Sequence, residues 1–301
     1  MDVEHTQMPL DLNTRFAIPG LCFEQGNGGL VRAVIHTRVA QGEIYLQGAH
    51  LTSWTPVGHE PVLWMSLASH FEKGKPIRGG VPICFPWFGP NAKDSSAPAH
   101  GYARLLEWQI ASTHANDDGV IELNLQTTID SFALNYRVQF GQALRMALTT
   151  QLLPHATSSA SFEDALHTYL SISDVHSVSI SGLESALYID KVDGAKTKPA
   201  ATNAIQFTGE TDRVYLDTIA DCKLRDSKRK RTIRVAKSGS RSTVIWNPWI
   251  DKSKRMADFG DDEWPLMVCI ETANVAENRI TLAPGESHTT TAVVSVEAVS
   301  S

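Results

Sequence analysis

Between residues 136 and 152 the chain alternates with a period of two. Tyr136, Val138, Phe140, Leu144, Met146, Leu148 and Leu152 share one parity, and Arg137, Gln139, Arg145, Thr149 and Gln151 hold the other. Successive side chains point to opposite faces of a strand, so this pattern predicts a strand or hairpin with one buried face. A helix would scatter the same apolar positions around its axis. Shorter strand-like segments recur at 31–40, 43–46, 48–54, 61–64, 108–111, 120–125, 177–180, 186–190, 242–246, 266–271 and 289–296, with Gly, Pro and polar turns between them. No amphipathic helix longer than three turns, short repeat or linker interrupts this rhythm. The expected fold is therefore all-β, a large antiparallel β-sandwich forming one domain over residues 31–301, with residues 1–30 as a polar lead-in.

A chain of 301 residues suffices for such a domain, and 42% hydrophobic against 20% charged residues supplies a core and argues against wholesale disorder. The balance of Lys+Arg 27 against Asp+Glu 33 gives −6, which argues against general nucleic-acid binding. Any anionic ligand must then be met by individual cations. The basic run Lys228-Arg229-Lys230-Arg231 reads as a solvated hairpin tip rather than a localisation signal. Cys22, Cys84, Cys222 and Cys269 are far apart, with no C-x-x-C, so neither a zinc framework nor a disulfide scaffold is expected. Reduced thiols fit a cytoplasmic protein. The polar start Met1-Asp2-Val3-Glu4-His5 has no secretory character, and no apolar stretch of about 18 residues could span a bilayer.

One stretch fits neither a helix nor disorder. Residues 76–90 hold three glycines and four prolines, yet Val81, Ile83, Phe85, Trp87 and Phe88 require burial. A rigid, apolar-lined segment carrying Arg78 suggests the wall of a site. Ala99-His100-Gly101-Tyr102-Ala103-Arg104 follows shortly and adds an imidazole and a second guanidinium. Two arginines, a histidine and aromatics suit an anionic, partly apolar small molecule such as a sugar phosphate.

Further along, Leu166, Thr168, Leu170 and Ile172 share one parity, which turns His167 and Tyr169 to the other face. The apolar run 266–271 finishes on Glu271. Taken singly, each signal has a plain structural reading. Glu271 can be a strand end emerging into water, His167 a hydrogen-bonded surface histidine and His100 a loop residue. Arg78 and Arg104 can be ion-pair partners of Asp212 or Glu107. The eleven histidines form no H-x-H or H-E-x-x-H pattern, so no metal site is expected. The glycine and serine motifs of dinucleotide, nucleotide and serine-hydrolase sites are also missing.

As an ordered set the motifs say more. Arg78-Gly79-Gly80-Val81-Pro82 with Phe85-Pro86-Trp87-Phe88-Gly89, then His100-Gly101-Tyr102-Ala103-Arg104, Leu166-His167-Thr168-Tyr169, Trp246-Asn247-Pro248-Trp249 and Cys269-Ile270-Glu271 resemble the hexose-6-phosphate mutarotases. These are glucose-6-phosphate 1-epimerases of the aldose 1-epimerase superfamily, and the resemblance runs from about residue 30 to 295. It implies a galactose-mutarotase-like β-sandwich with its site on a concave sheet face. It implies His167 as general acid and Glu271 as general base. Arg78 and Arg104 are the implied substrate and phosphate contacts, Asp212 a sugar-hydroxyl partner, and His100 an orienting histidine.

The chemistry suits these residue types. Exchanging α and β anomers removes a proton from O1, delivers one to the ring oxygen, and reverses both after rotation about C1–C2. One acid and one base suffice without a cofactor. The expected partner is a small-molecule sugar phosphate, with neither nucleic acid nor membrane, and the protein is expected as a monomer or weak oligomer. Two other readings stand beside this one: a non-catalytic sugar-phosphate sensor on the same fold, and an epimerase for unphosphorylated aldoses. Trp87, Trp246 and Trp249 are candidate platforms for a sugar face.

Overall fold

The alternating segment is a hairpin. A computed structural model of the chain describes residues 8–199 and 201–298, and in it Phe132–Phe140 pairs with Ala143–Leu152, Phe140 opposite Leu144. The apolar parity from Tyr136 to Leu152 is buried throughout.

This hairpin belongs to an eight-stranded sheet. From edge to edge the order is Val178–Ser181, Cys222–Asp226, Arg231–Ser238, Ser287–Ala298, Ala143–Leu152, Phe132–Phe140, Ile121–Ile129 and Gln109–Ala115. A second eight-stranded sheet runs Lys196–Lys198, Tyr188–Asp190, Thr211–Tyr215, Ser242–Asn247, Met267–Asn274, Asp164–Leu166 and Ile83–Cys84, with Tyr169–Ser171 also on Met267–Asn274. The strand pairings in both are antiparallel. Their facing sides share one core, in which Leu166, Ile245, Val268 and Ile270 of the second sheet meet Leu123, Val138, Met146, Ile233 and Val294 of the first. Each such side chain stabilises the fold by about 1.5–3 kcal/mol relative to an exposed one.

Because parity alternates, the second sheet's other face carries a different set. Asp212 lies opposite Trp246, Trp246 opposite Cys269, and Val244 opposite Glu271. That face holds the site.

Several segments differ from the sequence reading. Within the lead-in, Pro9–Phe16 is helical and Leu21–Gln25 pairs with Val31–His36; Leu12, Leu21 and Phe23 enter the main core. Residues 1–5 lie outside the described part. Residues 66–75 make turns, with Glu263 accepting from the Ser66 hydroxyl and the Leu67 amide. The basic run does form a hairpin tip, but Arg231 is only 4% exposed. Its guanidinium donates to the carbonyls of Glu60, Pro61 and Ser171 and pins two loops together. Among the described residues no helix is long and apolar enough to cross a membrane.

The glycine-rich wall is threaded through positions that exclude side chains. Gly80 has φ +60°, and a Cβ there would sit 1.9 Å from the Leu51 carbonyl oxygen. Gly101, at φ +74°, would place one 2.0 Å from the Phe85 carbonyl oxygen.

Candidate active site

A strand break creates the site. The expected strand over 165–172 is two short strands, Asp164–Leu166 and Tyr169–Ser171, separated by His167 and Thr168. The Thr168 amide donates to the carbonyl of Leu166, two residues back, at 2.9 Å. Around this tight turn the main chain stays anchored: His167 N–H donates to Pro82 O at 3.1 Å, and Ile270 N–H to Thr168 O at 3.1 Å. The imidazole is thereby presented to the strand Met267–Asn274, and Nε2 of His167 lies 3.4 Å from Oε1 of Glu271. Glu271 is not a strand end. It sits mid-strand and is 1% exposed, while His167 is 7% exposed.

Both groups line a cavity of about 290 Å³ together with Arg78, His100, Asp212, Trp246, Lys191 and Lys252. That volume is at the lower end for small-molecule sites, roughly 300–1,000 Å³. A larger depression of about 560 Å³ lies on the outer face of the other sheet. It is lined mainly by amides and hydroxyls, with Glu107 its one ionisable wall residue, so it offers no acid–base pair.

Burial sets the electrostatics of the pair. Loss of hydration, reinforced by Asp212, holds the Glu271 carboxyl well above its usual range. Burial, then His100, Arg78 and Arg104, pushes the His167 imidazole well below its usual value. The favoured resting state is neutral imidazole beside neutral carboxylic acid. It holds the same number of protons as imidazolium beside carboxylate, so the pair has one proton to give and one place to accept it. Oε2 of Glu271 and Nδ1 of His167 are buried without a partner in the protein.

His100 packs edge-on against His167, with ring centroids 5.8 Å apart. Its Nδ1 accepts from the Gly89 amide at 3.3 Å, which leaves the proton of the neutral ring on Nε2. Burial, then Arg104, Lys191 and Arg78, keeps that ring neutral. Asp212 reaches the cavity from Thr211–Tyr215, 3.7 Å from Nζ of Lys252, and burial raises its carboxyl.

The two arginines have separate fates. Arg78 lines the cavity, but its Nε and Nη2 donate to Asp258 at 3.1–3.2 Å and its Nη1 to the Tyr169 hydroxyl at 2.9 Å. Burial opposes this charge; Tyr169 and Asp258 outweigh burial and hold the guanidinium above its usual value. Arg104 is not among the wall residues. Its Nη2 donates to Ala99 O at 2.7 Å, its Nε is buried without a partner, and burial lowers its pKa. The carboxylate partner of Arg78 is Asp258 rather than Asp212.

Sequence reasoning missed four contributors. Tyr169 stacks on His167 at 4.8 Å and 10°, a neighbourhood their shared parity had signalled. Asp258, in a loop, carried no signal. Lys252 follows Trp249 in a short helix and pairs with Glu210 at 3.0 Å. Lys191 projects over Phe88 at 5.0 Å and makes no ion pair among the described residues. Of the three candidate tryptophans, Trp246 alone is in the cavity wall. Trp87 bonds Pro98 O, and Trp249 packs on Trp264.

Residues 33–295 match the family model described as Aldose 1-epimerase. The chain belongs to the aldose 1-epimerase family. An Escherichia coli (strain K12) relative named "Putative glucose-6-phosphate 1-epimerase" is 39% identical over 243 residues, covering 78% of this chain and 80% of that protein. A solved Salmonella typhimurium structure described as "a putative mutarotase" superposes with TM-score 0.85 at 32% identity, over 93% of this chain and 95% of that one. The galactose 1-epimerase of Lactobacillus acidophilus superposes with TM-score 0.70 at 12% identity, over 93% and 99%. At that identity the likeness concerns the fold alone, and it makes the architecture galactose-mutarotase-like.

Proposed function

We propose that the protein interconverts the α and β anomers of hexose 6-phosphates, glucose 6-phosphate foremost. The observation that carries this reading is the 3.4 Å contact between His167 and Glu271 in the cavity wall. O1 and the ring oxygen of a pyranose share carbon C1, so a donor and an acceptor lying side by side can serve both. Transfer of the carboxyl proton to His167 across that contact first makes a carboxylate and an imidazolium; Glu271 then takes the O1 proton and His167 delivers one to the ring oxygen. The C1–O5 bond breaks as the C1–O1 double bond forms. Rotation about C1–C2 presents the other carbonyl face, and closure returns both protons. Positioned proton transfer of this kind contributes roughly 10²–10⁴-fold.

Asp212 and His100 are assigned to sugar hydroxyls, and Trp246 to an apolar face. The phosphate is assigned first to Lys191, which lines the cavity and makes no ion pair among the described residues, with Arg78 behind it. Arg104 acts at longer range, by holding His100 and His167 neutral. The pairing of Arg78 with Asp258 favours a second reading, an epimerase for unphosphorylated aldoses. Anomer exchange followed by saturation-transfer NMR on glucose, with and without the 6-phosphate, decides between them. Acceleration confined to the phosphate ester supports the first reading, equal acceleration supports the second, and none on either removes both.

A further inference from the structure

We propose that His167, Cys269 and Glu271 form a binding site for a borderline-soft divalent cation such as Zn²⁺, and that this cation and the sugar exclude one another. The cation site stands on geometry alone; the exclusion rests on the reading that His167 and Glu271 face the sugar. Cys269 and Glu271 are two residues apart on Met267–Asn274, so their side chains leave the same face. The strand break puts His167 across from them. One ligand atom from each of the three lies within 4.8 Å of the other two, and all three residues are buried. In a tetrahedral zinc site, bond lengths of about 2.0–2.3 Å put neighbouring ligand atoms about 3.3–3.7 Å apart. The Nε2–Oε1 pair is already at 3.4 Å, and the remaining contacts close by side-chain movements of about 1.5 Å or less.

Two further observations point to a ligand. Oε2 of Glu271 is buried with no partner among the described residues, so the carboxylate has lone pairs to offer. Thiolate, imidazole and carboxylate are also the donor set that zinc takes, and the adjoining cavity of about 290 Å³ leaves room for a fourth ligand, water. The exchange is balanced in charge. The resting cluster holds a thiol, an acid and a neutral imidazole. Entry of Zn²⁺ releases the thiol and carboxylic protons to solvent, and the net charge of the buried cluster does not change. No electron moves. The spacing motifs that mark zinc sites in sequences are missing because these ligands come from two strands rather than one loop.

The test is a Co²⁺ titration of the full chain, freed of metal with a chelator. One equivalent is expected to give a thiolate-to-cobalt band in the near ultraviolet and strong visible bands of a tetrahedral site. Cys269→Ala should abolish the near-ultraviolet band, and Cys84→Ala should keep it. Glucose 6-phosphate should bleach the spectrum, and Zn²⁺ should inhibit anomer exchange by wild type at least tenfold more strongly than by Cys269→Ala. A featureless titration, or the same band in Cys269→Ala, overturns the site. Should Cys269→Ala fail to fold, ¹¹³Cd NMR of wild type takes its place: a resonance at the position of purely nitrogen and oxygen ligands overturns the proposal. A cobalt band that sugar phosphate leaves unchanged overturns the exclusion. An intact band in a protein without anomerase activity removes the functional reading and leaves the cation site standing.

Discussion

Glu271→Gln separates a catalytic carboxyl from a structural one, because the two roles move different observables. The side chain is 1% exposed and its carboxyl is held well above the ordinary value of 4.5. A raised acid keeps its proton in the folded state after the unfolded chain has lost it. Over that window the folded state binds more protons, so stability falls as pH rises. The window opens near 4.5 and closes at the raised value. Within it the loss follows a slope of about 1.4 kcal/mol per pH unit. His167 has the opposite sign: its lowered value makes stability fall as pH drops below 6.5. That contribution is present in both proteins and largely cancels in the difference. Urea unfolding of wild type and Glu271→Gln across this range should therefore show the variant gaining on wild type as pH rises. Anomer exchange should meanwhile fall by roughly 10²–10⁴-fold. A gap between the two proteins that does not change with pH, or exchange within tenfold of wild type, would refute the reasoning.

Three other substitutions probe the surroundings. Lys191→Ala should raise KM for glucose 6-phosphate at least tenfold and leave free glucose unaffected; parallel losses on both would remove the phosphate assignment. Asp212→Asn removes a charge that raises Glu271, so the alkaline limb of the pH–rate profile should move to lower pH, and an unmoved limb contradicts the coupling. In Tyr169→Phe the stack on His167 survives and one hydrogen bond to a guanidinium is lost, which should cost about 1.5–3 kcal/mol in denaturant unfolding with less than a tenfold change in kcat.

Features set by local periodicity were legible in the chain. The hairpin over 132–152 is the clearest case, since its apolar parity is buried without exception. The break at His167 was not legible, because residues 165–172 keep their alternation while the ladder fails between Leu166 and Tyr169. Glu271 read as a strand end because Thr272, Ala273 and Asn274 look like an exit into solvent. Instead Asn274 is buried, bonded to Asp164 and Thr290, partners 110 and 16 residues away. The arginines show the same limit. A sequence displays the charge of Arg78 but not that Asp258, 180 positions on, offsets it. Lys191 was passed over for the converse reason: that it lines the cavity without an ion pair among the described residues is visible only once the neighbours are known.

The main-chain anchoring around residue 167 has a consequence for re-engineering the protein. The His167 amide donates to Pro82 O and the Ile270 amide donates to Thr168 O, which fixes the backbone on either side, while the ring meets Glu271 through Nε2 and leaves Nδ1 without a partner among the described residues. Position 167 therefore works as a socket, in which the reactive group can be exchanged while its mount stays put. Installing an amine or a thiol there asks little of the scaffold, and the walls already shaped around a small polar guest come with it.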